Sequence, residues 1–349
     1  MMLPRILPGM EDCASRVGET MATITVLSID GGGIRGLIPA TFLVQLEART
    51  GQPVASLFDY LAGTSTGGIL ALGLTRMDPA SGLQPFKASE LVALYEKEGG
   101  NIFSRSVWHT VTAIGSLNGP KYPPDGPDEV LKKYFGQARL KDCRSNVIVT
   151  AYEIERRRAF FFRSWQAKAL PASHDFNVWE VARSTSAAPT YFPPHQVKST
   201  DNFTYSLIDG GMYANNPALC AWVEAHDQHA GDEIFVVSLG TGNLDRRIPY
   251  AKAKDWGLAG WAPALIDIIF DGQSADVQLD EMLNLRGGRI NYYRFQCNLQ
   301  DREQQIDRTD RDNLQALEEH GQAVAQGPRF DEVCMRLLEI QARRRSPAA

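Results

Sequence analysis

The sequence predicts an α/β fold, and three observations carry the prediction. The chain of 349 residues is 44% hydrophobic, enough to bury the core of one large α/β domain or two small ones. Its strongly apolar stretches, such as Val26 to Ile29 and Phe235 to Leu239, are strand-sized and alternate with segments of helical periodicity. Two strand-like runs end in glycine-rich turns, Asp30-Gly31-Gly32-Gly33-Ile34-Arg35-Gly36 and Gly63-Thr64-Ser65-Thr66-Gly67, and each turn opens a helix.

Thr23 to Ile29 reads as a buried first strand, and Leu37 to Arg49 as a helix with Pro39 tolerated in its first turn. Leu57 to Ala62 is a second short strand running into Ser65, and Gly68 to Leu74 is the helix whose N-terminus faces that serine. Between Gly99 and Pro127 periodicity fades while glycine, proline and the aromatics Phe103, Trp108 and Tyr122 are dense, which predicts a long surface excursion or lid. Asn146 to Tyr152 and Ala159 to Arg163 form a hairpin about the charged turn Glu153 to Arg158. Tyr205 to Ile208 is strand-like, Pro217 to His229 helical, and Glu233 to Leu239 a buried strand ending in Gly240-Thr241-Gly242. From about Arg246 the composition changes, with Trp256, Trp261, a short apolar helix at Ala264 to Phe270 and a strand at Asn291 to Gln296. Two closing helices present apolar faces, one through Leu314, Leu317, Gly321 and Val324, the other through Phe330, Val333, Cys334, Leu337 and Leu338, and are expected to pack onto the sheet. The chain divides into an extension, 1–22, a catalytic domain, 23–245, and a C-terminal region, 246–349, packed on the same domain.

Composition excludes several classes. The formal charge is −5 and the basic residues are scattered apart from Arg156-Arg157-Arg158 and Arg343-Arg344-Arg345, so a nucleic-acid polymer is not expected as a partner. No apolar stretch reaches membrane-spanning length, and residues 1–20 lack the apolar run of a secretory signal. The five cysteines are far apart and odd in number, which fits a reducing cytoplasmic compartment and no metal cluster.

The second turn sets Ser65 at a Gly-x-Ser-x-Gly elbow, where Gly63 and Gly67 permit the sharp strand-to-helix turn that exposes a nucleophilic hydroxyl. A serine hydroxyl needs a base and a site for the tetrahedral oxyanion. The first turn offers backbone N–H groups with no Cβ in the way, at Gly31, Gly32 and Gly33, although Gly31, Gly33 and Gly36 also satisfy the G-x-G-x-x-G pattern of dinucleotide-binding folds. For the base, an order of Ser, Asp, His is met by Ser65, Asp209 and one of His226, His229 or His320, all in helix-terminal or helical contexts that suit surface histidines. Asp209 itself follows a strand-like run and precedes Gly210-Gly211. A partly desolvated carboxylate there can act directly as the base, and an Asp-Gly turn with a backbone role is the other reading.

The segments Ser28 to Gly36, Gly63 to Gly68, Thr185 to Pro194 and Asp209 to Pro217, with Ser238 to Gly242, together resemble the patatin-like phospholipases, and more closely their bacterial branch. The resemblance implies a three-layer α/β/α fold with a mostly parallel central sheet and a calcium-independent acyl hydrolase without a cofactor. It implies Ser65 as nucleophile, Asp209 as base, Gly31, Gly32 and Gly33 lining the oxyanion hole, and Arg35 as the basic residue beside it. It also demotes the dinucleotide reading, because no acidic residue closes a second strand where that fold needs one. The expected substrates are glycerophospholipids or lysophospholipids at a membrane met peripherally, the inner membrane for a cytoplasmic enzyme, with Trp108, Phe103 and the region Trp256 to Phe270 as contacts. Some relatives of that branch are anti-phage effectors switched on by a cyclic dinucleotide, and Arg156 to Arg158 with Arg163 is a cationic surface able to meet phosphates. A constitutive lipase or thioesterase and a histidine-dependent small-ester esterase are the alternatives, and a homodimer is possible.

Overall fold

A computed structural model describes residues 22–103, 125–243, 247–257, 260–261, 264–265, 268–269, 291–300, 303 and 305–345. The strands are β1 (Thr23–Ile29), β2 (Tyr60–Gly63), β3 (Asn146–Glu153), β4 (Arg158–Arg163), β5 (His195–Lys198), β6 (Thr204–Asp209), β7 (Glu233–Leu239) and β8 (Asn291–Phe295). They form one sheet in the order β5-β6-β3-β2-β1-β7-β8, with β4 also pairing β3. Neighbours from β3 through β8 run parallel, whereas β4, β6 and β5 join antiparallel.

The principal helices are α1 (Leu37–Thr50), α2 (Thr66–Thr75), α3 (Ala88–Phe103), α4 (Asp125–Phe135), α5 (Val178–Thr185), α6 (Ala218–Gln228), α7 (Arg311–Val324) and α8 (Pro328–Arg345). Strand β1 is buried on both faces, as a central parallel strand must be. Its alternation separates two cores. Leu27 and Ile29 join Leu37, Leu43, Leu70, Leu91 and Val333 on one side, while Ile24 and Val26 join Ala218, Ala221 and Trp222 of α6 on the other. A third cluster, from Val147 and Val149 of β3 to Val178 and Val181 of α5, extends the first side beneath the antiparallel strands. The result is a three-layer α/β/α fold.

The register carries the functional consequence. On β3, Ile148 and Val149 pair with both β2 and β4, and Ala151 pairs with both β4 and β6. Strand β4 therefore holds one edge of β3, and β2 and β6 share the other edge in succession. Gly63 ends β2 opposite Val149, and Asp209 ends the oncoming β6 opposite Ala151. The two strands meet end to end about 7 Å apart, two residues along β3. Meanwhile Ile29 lies opposite Gly63 in the β1/β2 pair, so both glycine turns leave the sheet side by side.

Several elements differ from expectation. The second strand starts at Tyr60 because Pro53 opens a helical turn, Val54–Leu57, and the Asp59 carboxylate caps Thr25 through its backbone N–H at 2.8 Å. Helix α3 continues through Gly99 and Gly100 to Phe103, and Asp125-Gly126-Pro127 opens α4, where proline is tolerated in a first turn. Residues 104–124, including Trp108 and Tyr122, lie outside the described residues, as does the Phe103 side chain. Of the C-terminal helices, α8 enters the main core through Val333 and Leu337, but α7 lies on α1 rather than on the sheet: a Cβ on Gly321 would come within 2.6 Å of the Ile38 carbonyl oxygen. No described helix is long and apolar enough to cross a membrane.

Candidate active site

Ser65 sits between β2 and α2 with φ 54° and ψ −122°, a backbone conformation that costs a non-glycine residue of order 1–3 kcal/mol. Its neighbours explain how the turn closes. A Cβ on Gly67 would lie 2.1 Å from the Ile29 carbonyl oxygen, and one on Gly63 would lie 2.2 Å from that of Gly67, so only hydrogen fits at either place. The Ser65 amide donates to Thr185 Oγ1 at 2.8 Å. That ties the elbow to α5, and the N-terminus of α2 behind it favours negative charge.

Asp209 ends β6 and is fully buried. Its amide donates to the Ala187 carbonyl at 3.1 Å, and Oδ1 accepts the Gly211 amide at 2.7 Å. Burial is the largest influence on the carboxyl group and pushes its pKa from 3.8 up to about 7, with the Gly211 amide and the Ser65 side chain pulling the other way. Oδ2 satisfies no full hydrogen-bond geometry, so the interaction with Ser65 is a near approach rather than a formed bond. The backbone beyond packs tightly, since a Cβ on Gly210 would lie 2.1 Å from Thr150 Oγ1. Asp209 is thus more than a turn former: it is a desolvated carboxyl group facing a strained serine.

The first turn lies against this pair. A Cβ on Gly31 would come within 3.2 Å of the Ser65 Cβ. The Gly31 amide is not available as expected, because it donates to the Asn215 carbonyl at 3.0 Å. Its own carbonyl accepts Thr241 Oγ1 at 2.6 Å. The Gly32 carbonyl accepts both the Arg35 amide and Arg35 Nε, each at 3.2 Å. In a trans peptide the N–H points opposite to the C=O, so fixing the Gly31 and Gly32 carbonyls aims the amides of Gly32 and Gly33 the other way. Those two amides, and not that of Gly31, are the candidate oxyanion donors. Arg35 is only 2% exposed, so it lies inside the turn and not at the surface. Gly33, at φ 60°, approaches the Ile306 carbonyl so closely that a Cβ would stand 2.3 Å away.

Ser65 and Asp209 open onto one small cavity of about 30 Å³, room for a water or two. Its walls are Gly32, Gly33 and Arg35 from the first turn, Ser186, Ala188, Tyr191 and Phe192 from the segment after α5, and Ile306 and Asp307 after β8. No histidine lines it among the described residues. His229 bonds the Tyr60 hydroxyl at 3.1 Å, His320 meets Glu303 at 3.0 Å, and His226 lies against the Trp222 ring. His195 on β5 packs on Trp179 and is held neutral, its pKa lowered by burial, then by Arg183 and Lys132, to about 4. A larger cleft of about 320 Å³ at the other end of the strands is lined by Asp59, Tyr60, Arg144 and His229. Among the described residues no group of three or more His, Cys, Asp or Glu side chains is placed to hold a metal ion, and the four cysteines are free.

Asn215, Thr241 and Thr185 lie within segments whose resemblance is noted above, but their roles as anchors of the two turns are visible only in the structure. A serine on a strained elbow, beside a buried carboxyl group and a glycine turn with aimed amides, is the construction of a serine carboxylic-ester hydrolase. The patatin-like phospholipase family model matches residues 27–222. Patatin-like protein 2 of Oryza sativa subsp. indica is 32% identical, with 82% of this chain and 79% of that protein covered. Patatin-like protein 2 of Arabidopsis thaliana is 33% identical over 78% and 75%, and patatin-2-Kuras 3 of Solanum tuberosum is 30% identical over 93% and 88%. The chain belongs to the patatin-like phospholipase family, and is a lipid acyl hydrolase.

Proposed function

We propose that the enzyme cleaves acyl esters of phospholipids, without calcium, through a Ser65–Asp209 dyad and an acyl-enzyme. Asp209 accepts the Ser65 proton as Oγ attacks the acyl carbonyl, and the oxyanion is met by the amides of Gly32 and Gly33. Collapse expels the alcohol, a lysophospholipid or its remnant, which takes the proton back from Asp209. Asp209 then deprotonates a water that attacks the acyl-enzyme, and the fatty acid leaves with Ser65 restored. The observation that carries this reading is the fully buried Asp209 carboxyl group sharing one cavity with Ser65 on its strained elbow, and burial raises the pKa of that carboxyl to about 7, suited to a base at neutral pH. Base and oxyanion donors are both protein groups, so the dyad itself calls for no metal.

The test is fatty-acid release from mixed phospholipid vesicles by the purified protein, with and without a chelator and a panel of cyclic dinucleotides. Ser65→Ala is expected to abolish release with the fold intact by circular dichroism, and chelation to leave the wild type unaffected. Substantial release by S65A sinks the mechanism. Release only with one cyclic dinucleotide establishes the effector reading, and full release without any makes the enzyme constitutive. The arginine hairpin behind the effector reading is partly engaged, since Arg156 pairs with Glu153 at 3.2 Å and Arg163 Nε donates to Glu224 at 2.9 Å, while Arg157 and Arg158 stay exposed. Peripheral membrane contact rests on the half-exposed Leu265 and Ile268 near Trp261, and Trp-to-Ala or Leu-to-Ser variants that bind vesicles as wild type does would remove those contacts from the proposal.

A further inference from the structure

Asp30 immediately precedes the first glycine turn, and its side chain is only 5% exposed. Both carboxylate oxygens are taken by one guanidinium: Arg294 Nη1 donates to Oδ1 at 2.9 Å and Nη2 to Oδ2 at 2.6 Å. Nη1 also donates to Ser238 Oγ at 2.9 Å, and the Asp30 amide is fixed on the Leu239 carbonyl at 3.0 Å. Arg294 comes from β8, beyond the matched segment 27–222.

The placement has an electrostatic meaning. During the reaction a negative charge develops beside Gly32 and Gly33, within a short stretch of backbone from the Asp30 carboxylate. A buried carboxylate two to three residues from those amides, left without its cation, opposes that charge, and the opposition exists in the transition state but not with the neutral ester bound. A bidentate guanidinium is the partner best suited to cancel a carboxylate there, because its fork matches both oxygens and its charge is permanent.

Resting on the proposed acyl-enzyme mechanism, we propose that Arg294 is a positioning residue of the oxyanion site, neutralising Asp30 so that the glycine turn can stabilise the developing oxyanion. The C-terminal region thereby supplies a working part of the site and not only a packing layer. Cancellation of charge and bracing of the turn make different predictions, and the double variant separates them.

The experiment measures kcat and KM for acyl-ester hydrolysis with wild type, Arg294→Met, Arg294→Lys and the double variant Asp30→Asn/Arg294→Met, each checked for folding by thermal unfolding. R294M is expected to lose about tenfold or more in kcat with KM little changed. R294K, which keeps the charge but not the fork, is expected to fall between R294M and wild type. D30N/R294M is expected to recover most of the loss, because no uncompensated carboxylate remains. If R294M keeps wild-type kcat, or if D30N/R294M is no better than R294M, the proposal is overturned. Should R294M not fold, D30N/R294M with kcat at or above that of R294K supports cancellation of charge, and D30N/R294M below R294K overturns the proposal. Loss of activity in S65A, run alongside, keeps a failure of this inference distinct from a failure of the mechanism it rests on.

Discussion

The proposed nucleophile and the proposed base reach the site from opposite halves of one sheet and at different physical cost. Ser65 arrives on β2, within the parallel half, and must turn sharply into α2, so its backbone is held at φ 54°. Asp209 arrives on β6, antiparallel to β3, and ends beside the serine with no such backbone strain. Its cost is desolvation, seen in a pKa raised to about 7. The serine is strained but need not be ionised to rest in the fold, and the aspartate is unstrained but has to carry charge in a buried place. The two groups of the proposed dyad should therefore respond to substitution and to pH in opposite or unequal ways.

The largest effect expected is on the base. Asp209→Asn keeps the shape and the Gly211 contact but removes the proton acceptor, and kcat should fall about a thousandfold, within the range typical of losing a general base. The same change should stabilise the fold above neutral pH, because a buried carboxylate is replaced by a neutral amide. A D209N protein that is less stable than wild type at pH 8 breaks the comparison.

The pH dependence sharpens it. The carboxyl group titrates near 3.8 when unfolded and near 7 when folded, so between those values the folded state holds the extra proton. Stability from this group is thus fullest below about pH 4, declines as pH rises toward 7 and is level beyond, a total of roughly a few kcal/mol. Activity needs the carboxylate and rises through about pH 7, so the two curves slope in opposite directions. Urea midpoints of wild type and D209N between about pH 5 and pH 8 should converge toward the acid end. Parallel profiles would show that Asp209 is not the titrating group.

The strain on Ser65 predicts a smaller effect on stability. Ser65→Gly abolishes hydrolysis but relieves the positive φ, and after the entropy cost of glycine it should gain about 1 kcal/mol in stability. A loss of stability in S65G would mean that contacts of the serine side chain and the entropy cost of glycine outweigh the relief of the positive φ, because the amide bond to Thr185 is kept.

Legibility in the sequence followed the range of the forces. The elbow was readable because its determinants, Gly63 and Gly67, are local, and the buried strands β1 and β7 because apolar residues fall on both faces of each. Asp209 was readable as a strand end, but its burial was not. The anchors of the two turns were hidden because they act across the chain: Thr185 on Ser65, Asn215 and Thr241 on Gly31, Arg294 on Asp30. The Gly31 amide was misassigned for the same reason, since only the fold brings the Asn215 carbonyl to it. Short-range pattern likewise could not show that α7 lies on α1, because its apolar face suits either neighbour.

The smallest effect lies where the two halves join. Thr150 stands on β3 between Val149, opposite Gly63, and Ala151, opposite Asp209. Its hydroxyl lies 2.7 Å from that of Thr64, whose proton goes to the Ala214 carbonyl at 2.6 Å, so Thr150 is the donor of the pair. Thr150→Val keeps the bulk that meets Gly210 and removes one buried hydrogen bond, leaving the Thr64 donor satisfied. The expected loss is about 1 kcal/mol in stability and less than about tenfold in kcat. If the junction merely aligns two independently built groups, the effects of T150V and S65G on stability should add, measured by urea unfolding of the single and double variants. A coupling well beyond a few tenths of a kcal/mol would mean that the strain on the serine is set through β3 by the strand that carries the base.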